Sequence, residues 1–229
     1  MGVNDLSPAM QQYVEVKERY PDCIILFRMG DFYEMFFEDA VTASRALEIT
    51  LTSRNKNKED AIPLCGFPYH AASGYIARLI EKGFKVAVCE QTEDPKLAKG
   101  VVKREVIRVV TPGLLLDTET LNAKENNFLA ALVVREGLYA LAFVDISTGE
   151  FRVAETDDRE DFLVRASGLS IRELLIAEDV CDDDLIRTFA GEGERCRINR
   201  LPPDRFDPAT AEALLRDHFP EEKLSGMAL

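Results

Sequence analysis

Phe27-Arg28-Met29-Gly30-Asp31-Phe32-Tyr33-Glu34-Met35-Phe36 is the stretch on which the reading of this chain turns. The apolar run Cys23 to Arg28 leads into it as a buried strand. Gly30-Asp31 forms a bend, and Phe32 to Met35 continues extended. Side chains alternate along an extended segment, so Phe32 and Glu34 share one face while Tyr33 points to the other. Gly30 lets the backbone turn tightly or approach another molecule closely. An aromatic ring and a carboxylate two residues apart can form a small recognition surface. On spacing alone the commoner outcome of Phe-x-Glu is a core ring and a surface charge, and both readings stand at this point.

Outward from that hairpin the chain alternates strands and helices. Ser7-Pro8 starts a helix with Ser7 as cap; Met10, Tyr13, Val14 and Val16 give it a buried face, and Tyr20-Pro21 ends it. Helices are expected over 38–47 and 71–82, the latter stopped by Gly83. Strands are expected over 49–53, 62–65, 85–90 and 106–110, with Gly66-Phe67-Pro68 as a turn and 55–60 as a polar loop. This is a mixed α/β domain over 1–113. Thr111-Pro112-Gly113 breaks the pattern, and 114–127 reads as a linker. A second domain over 128–229 opens with three strands, 128–135, 139–145 and 151–154, joined by turns at Glu136-Gly137 and Ser147-Thr148-Gly149. Helix, strand, helix follow at 161–167, 173–177 and 183–189, then an amphipathic helix over 208–219. A three-strand meander followed by αβα units predicts a ribonuclease-H-like α/β layout, expected to be incomplete at its C-terminal end.

The net charge of −13 is unevenly spread. Residues 1–116 carry 15 Lys+Arg against 16 Asp+Glu, and residues 117–229 carry 13 against 25, so the acidity belongs to the second half. Lys96, Lys99, Lys103, Arg104 and Arg108 face only Glu105, and Arg54, Lys56 and Lys58 form a second basic group. Such groups can contact phosphate within an acidic chain. No run of eighteen apolar residues is present to span a membrane. Met1-Gly2-Val3-Asn4-Asp5 lacks the features of a signal peptide. The five cysteines, odd in number and without a Cys-x-x-Cys pair, read as buried free thiols of a reducing cytoplasm. With only His70 and His218, a zinc site is not expected.

The decisive stretch closely resembles the signature of the MutS mismatch-binding domain. So do Gly66-Phe67-Pro68-Tyr69-His70-Ala71, Cys89-Glu90-Gln91 with Asp94-Pro95, Val109-Val110-Thr111-Pro112-Gly113 and Val144-Asp145-Ile146-Ser147-Thr148-Gly149. The blocks come in the family's order and spacing and cover most of residues 7 to 155. The acidic second half resembles the family's connector domain more loosely. The resemblance implies that Phe32 enters the minor groove and stacks on a mispaired or unpaired base, that Glu34 hydrogen-bonds that base, and that the DNA kinks there. It implies backbone contacts from Arg54 and Arg104, and a loop along the groove containing Leu64, Pro68 and Tyr69. It also implies a cytoplasmic bacterial protein, homodimeric at full length, which binds mismatched double-stranded DNA and meets a MutL-type partner through the connector.

The mechanism is physically coherent. A wedge side chain must unstack a base step at a cost of a few kcal/mol, and a mispaired step is already weaker. Such a protein reads deformability, because minor-groove base edges are too degenerate to report every error. No Gly-x-x-x-x-Gly-Lys-Ser/Thr loop occurs in the sequence, so no ATP site is expected here. The family's ATPase, with its ATP and Mg²⁺, lies in a separate downstream domain, and no cofactor, metal or catalytic residue is expected in these 229 residues. The competing enzymatic reading is a ribonuclease-H-like nuclease in the second domain. It would need carboxylates converging on two metal ions. Asp145 suits it, but Asp157, Asp158, Glu160 and Asp161 cluster at a helix start, where acids simply complement the dipole.

Overall fold

The computed structural model describes residues 6–54, 61–93, 100–114, 126–190 and 196–219, with the backbone alone at Asp183. The chain divides into two compact units, Met1–Ala123 and Lys124–Leu229. Of the linker expected over 114–127, only Leu114, Asn126 and Asn127 lie among the described residues.

The first unit comprises α1 (Pro8–Arg19), β1 (Cys23–Met29), β2 (Phe32–Phe36), α2 (Phe37–Leu47), β3 (Thr52–Arg54), β4 (Ile62–Pro68), α3 (Ala72–Glu81), β5 (Lys85–Gln91) and β6 (Arg104–Val110). They form one sheet in the order β3-β4-β2-β1-β5-β6. β1 and β5 run parallel and the other neighbours antiparallel. β1 is central because Cys23 to Phe27 is an unbroken apolar run, all of it buried, which suits a strand covered on both faces. On one face α2 and α3 pack over Leu26, Tyr33, Met35, Phe67 and Val88. On the other α1 brings Met10, Tyr13 and Val16 onto Ile25, Phe27, Phe36 and Cys89. Ser7 takes the N-cap position of α1 without a side-chain bond, and Pro8 occupies the first turn.

A buried polar knot ties this layer together. Asp39 of α2 accepts from the Tyr13 hydroxyl (2.7 Å), the Lys17 ammonium (2.8 Å) and the Ile25 amide (3.1 Å). Burial, then the Asp39 charge, pushes the Tyr13 hydroxyl well above its ordinary pKa. α1, β1 and α2 thus meet at one carboxylate whose acceptor sites are used.

Two expectations are corrected. Gly66-Phe67-Pro68 is not a turn but the end of β4, paired in register with Glu34, Tyr33 and Phe32. Proline is tolerated there because β3 flanks β4 only over Ile62 to Leu64, leaving the far end an edge. The basic segment before β6 is strand from Arg104 onward, two residues earlier than its apolar pattern indicates.

The second unit comprises β7 (Phe128–Arg135), β8 (Leu138–Asp145), β9 (Glu150–Thr156), α4 (Arg159–Ser167), β10 (Ile171–Ala177), α5 (Asp183–Ala190), β11 (Arg197–Leu201) and α6 (Pro208–His218). The order is β11-β10-β7-β8-β9, with an antiparallel β7-β8-β9 meander and β10 and β11 parallel to β7. This is the strand arrangement of a ribonuclease-H-like sheet. Glu136 and Gly137 both have positive φ, 51° and 84°, as a two-residue hairpin demands. Asp158 caps α4 by accepting from the Glu160 and Asp161 amides. β11 escaped the sequence reading because Arg-Ile-Asn-Arg-Leu offers little apolar signal. α6 forms where its periodicity placed it, yet none of its residues is buried within the unit.

Candidate nucleic-acid interface

Residues paired across antiparallel strands share a face. Phe32 pairs with Met29 and Pro68, Glu34 with Phe27 and Gly66, and Phe36 with Leu64. Arg54 pairs with Ile62, itself on the α1 face. The register therefore gathers Phe32, Glu34, Leu64, Pro68 and Arg54 on the α1 face of one sheet. The cover from α1 stops short of Phe32. Phe27, Phe36 and Phe67 in the same sheet are 0–2% exposed, whereas Phe32 is 45% exposed. It sits at the hairpin tip, next to the Gly30 bend, where φ is +57°.

Glu34 is half-buried beside it. Burial pushes its carboxyl up, and the Arg54 charge pulls the other way without cancelling the effect. Gly66 opposite leaves room for it. A Cβ at position 66 would lie 2.7 Å from the Tyr33 carbonyl oxygen and 3.4 Å from Glu34 Cγ. Arg54 is exposed, and Leu64 is partly buried against the α1 layer. The arrangement offers an apolar plate, a carboxyl that takes a proton more readily than usual, and a nearby cation.

Two of the residues singled out in the sequence are placed differently. Arg104 is 8% exposed. Its guanidinium donates to the carbonyls of Arg28 (2.6 Å) and Val102 (2.8 Å), lies 3.4 Å from the Met29 sulfur and sits 5.0 Å over the Phe27 ring. Its donors are engaged in holding the end of β1. Tyr69 is 44% exposed in a 3-10 turn, Tyr69–Ala71, after β4. Its ring stacks on the Arg28 guanidinium at 3.7 Å. Arg28 pairs in register with Tyr33, so this stack lies on the opposite face from Phe32 and Glu34. Arg28 also reaches Glu90 of β5 at 3.3 Å, and the Tyr33 hydroxyl donates to the same carboxylate. The sequence reading did not mark Arg28 or Glu90 as site residues, because they lie 62 positions apart and only the β1–β5 pairing joins them. Lys56, Lys58, Lys96 and Lys99 lie outside the described residues, and Lys103 pairs with Glu105 at 2.6 Å.

In the second unit Asp145 is buried and accepts from the Asn127 amide (3.0 Å), the Ser147 amide (2.9 Å) and the Ser147 hydroxyl (2.6 Å). Burial alone would raise its pKa, but these donors outweigh it and hold the carboxyl below the usual range. The carboxylate braces its hairpin. Among the described residues, no group of three or more His, Cys, Asp or Glu side chains is placed to hold a metal ion. Nor is any helix among them long and apolar enough to cross a membrane. All five cysteines are free, four are buried as expected, and Cys181, in the polar run before α5, is exposed instead; burial pushes the thiols of Cys65, Cys89 and Cys196 up to about 12 and that of Cys23 up to about 11.

The family model MutS domain I matches residues 7–119, and MutS domain II matches 127–229. A DNA mismatch repair protein MutS of Syntrophobacter fumaroxidans is 49% identical across 99% of this chain and 26% of its own length. Proteins of the same name from Desulfosudis oleivorans and Solibacter usitatus are 48% and 49% identical, over 99% and 97% of this chain. The chain spans about a quarter of the length of these relatives.

Proposed function

This chain belongs to the MutS family of DNA mismatch repair proteins, of which it holds domains I and II, and on that premise we propose that Phe32 and Glu34 are its mismatch reader. The observation that carries the proposal is the exposed Phe32 ring in a sheet whose other phenylalanines are fully buried. Leaving a large ring in water forgoes burial worth about 1.5–3 kcal/mol, a loss that contact with a stacked base recovers. Phe32 enters the minor groove and stacks on the mispaired or unpaired base. Glu34, held on the same face two residues on, hydrogen-bonds that base. A carboxylate so close to DNA repels an ordinary duplex and gains only where a mispaired base offers it a partner. Leu64 and Pro68 line the same face beside the wedge.

Arg54, exposed on the β3 edge, anchors a phosphate. Arg104 acts more indirectly than the resemblance implies, by holding the end of β1. Tyr69 supports the wedge from behind through Arg28. The acidic second unit serves as a connector with a docking face for a MutL-type partner. ATP and Mg²⁺ are handled elsewhere in a homodimeric full-length protein.

The test uses the full-length protein with matched and G·T-containing duplexes. Phe32→Ala should bring mismatched DNA down to nearly the affinity of matched DNA, losing the stacking worth about 1–3 kcal/mol. Glu34→Ala should leave matched binding equal or tighter while selectivity falls. A Phe32→Ala protein that keeps its mismatch preference removes Phe32 from the site.

A further inference from the structure

Behind the wedge, on the opposite face of the sheet, Arg28 belongs to a wider cluster whose acidic member, Glu90, the reading above leaves without a task. Arg28 stacks on Tyr69 at 3.7 Å and approaches Glu90 at 3.3 Å. Glu90 also accepts from the Tyr33 hydroxyl. The side chains of Arg28 and Glu90 are only 17% and 24% exposed, so solvent screens their pairing weakly. We propose that Arg28 and Glu90 are positioning residues for mismatch reading, a proposal that rests on Phe32 and Glu34 being the reader.

The geometry gives the reason. Tyr33 lies between Phe32 and Glu34 in β2 and points the other way. Rotation of β2 about its own axis swings Phe32 and Glu34 to one side and Tyr33 to the other. Phe32 sits at the last register pair of the hairpin, Met29–Phe32, where the ladder resists such rotation least. Fixing the Tyr33 hydroxyl to Glu90, on a strand two places away, blocks that rotation. Arg28, on the strand between, completes the tie across β5, β1 and β2. Its stack on Tyr69 adds the end of β4, and the Tyr69 amide donates to the Asp31 carbonyl at 3.0 Å, closing the tip from the far side. A wedge must meet its base in one orientation to repay the unstacking it causes, and a loosely held ring loses that advantage.

A direct phosphate contact by Arg28 is the rival role, and the two give opposite signs. In the full-length protein we compare Glu90→Gln, Arg28→Lys and Phe32→Ala on matched and G·T duplexes across a salt series. 2-Aminopurine beside the mismatch reports unstacking. Glu90→Gln keeps the volume of the side chain but removes the charge that holds Arg28 and tightens the Tyr33 bond, so it loosens the tie without a cavity and holds the test open if Arg28→Lys fails to fold. Under the proposal, Glu90→Gln and Arg28→Lys each lower the ratio of mismatched to matched affinity about three- to tenfold. Both reduce the 2-aminopurine signal and leave matched affinity and its salt slope unchanged. Combining them adds little, since they break one tie. If Glu90→Gln instead tightens both duplexes and steepens the salt dependence, Arg28 is a phosphate contact held in reserve and the proposal is overturned. If neither substitution moves the ratio while Phe32→Ala abolishes it, the reader stands and the brace does not. If Phe32→Ala leaves the ratio intact, the reader itself is wrong, and the brace falls with it.

Discussion

The two sheets of this protein expose apolar side chains in different ways. In the first unit the inner strands of the sheet are covered on both faces, Ile107 on the edge strand β6 is bare, and the aromatic left in water on the sheet is Phe32, set beside a half-buried carboxylate. In the second, exposure is spread along an edge. Phe151 and Val153 of β9 are each 64% exposed, and α6 buries none of its residues. One ring at the tip of a hydrogen-bonded hairpin can act as a tool, because its position is defined. An edge strand and a helix lying bare are a face, and a face without convergent polar groups recognises by area. Charge follows the same division. The acidic excess lies after residue 116, in the stretch of sequence that makes up most of the second unit.

The largest effects should separate rings on one sheet face. Phe27→Ala removes a fully buried ring and should cost about 3–5 kcal/mol of stability. Phe32→Ala, on the neighbouring strand two register pairs along, should cost under about 1 kcal/mol and act on DNA instead. Equal losses in a denaturant titration would erase the distinction between core and wedge. Next come the buried carboxylates. Asp39→Ala takes from Lys17, the Tyr13 hydroxyl and the Ile25 amide the carboxylate they share, leaving the first two only a backbone carbonyl each, at about 3 kcal/mol. Asp145→Ala in the second loses neutral donors only, at about 1–3 kcal/mol. The Asp145 carboxyl is held below its ordinary pKa, so its contribution is present at neutral pH and lost as pH falls through the folded value. The penalty of Asp145→Ala should therefore shrink in acid; a penalty independent of pH would mean the carboxylate is not the cause.

The arginines give a smaller contrast. Arg54→Ala should flatten the salt dependence of DNA binding by about one phosphate contact and leave melting unchanged. Arg104→Ala should lower the melting temperature, since its donors serve the protein. Reversed results would exchange their roles. The smallest effect concerns Glu34. Its carboxyl is raised, chiefly by burial, so the folded state binds that proton more tightly than the unfolded chain does. Stability from this group is full below its unfolded pKa and declines as pH rises through the folded one. Glu34→Gln should thus be slightly more stable than the native protein at neutral pH, with the gap closing in acid. A gap that widens in acid would reverse the assigned shift.

The sequence by itself determined the two-part α/β organisation, the helices, most strands and the family, because each rests on local periodicity or on contiguous motifs. It placed Phe32 and Glu34 on one side of β2, since alternation along an extended strand is a local rule. It left open whether that side met core or solvent, because burial depends on how far α1 reaches across the sheet. Pro68 as strand rather than turn, Arg104 turned inward, and the tie between Arg28 and Glu90 were decided by tertiary structure alone. Each depends on which strand lies beside which. Register between segments distant in sequence follows from the packing of the whole sheet, and no local pattern of residues contains it.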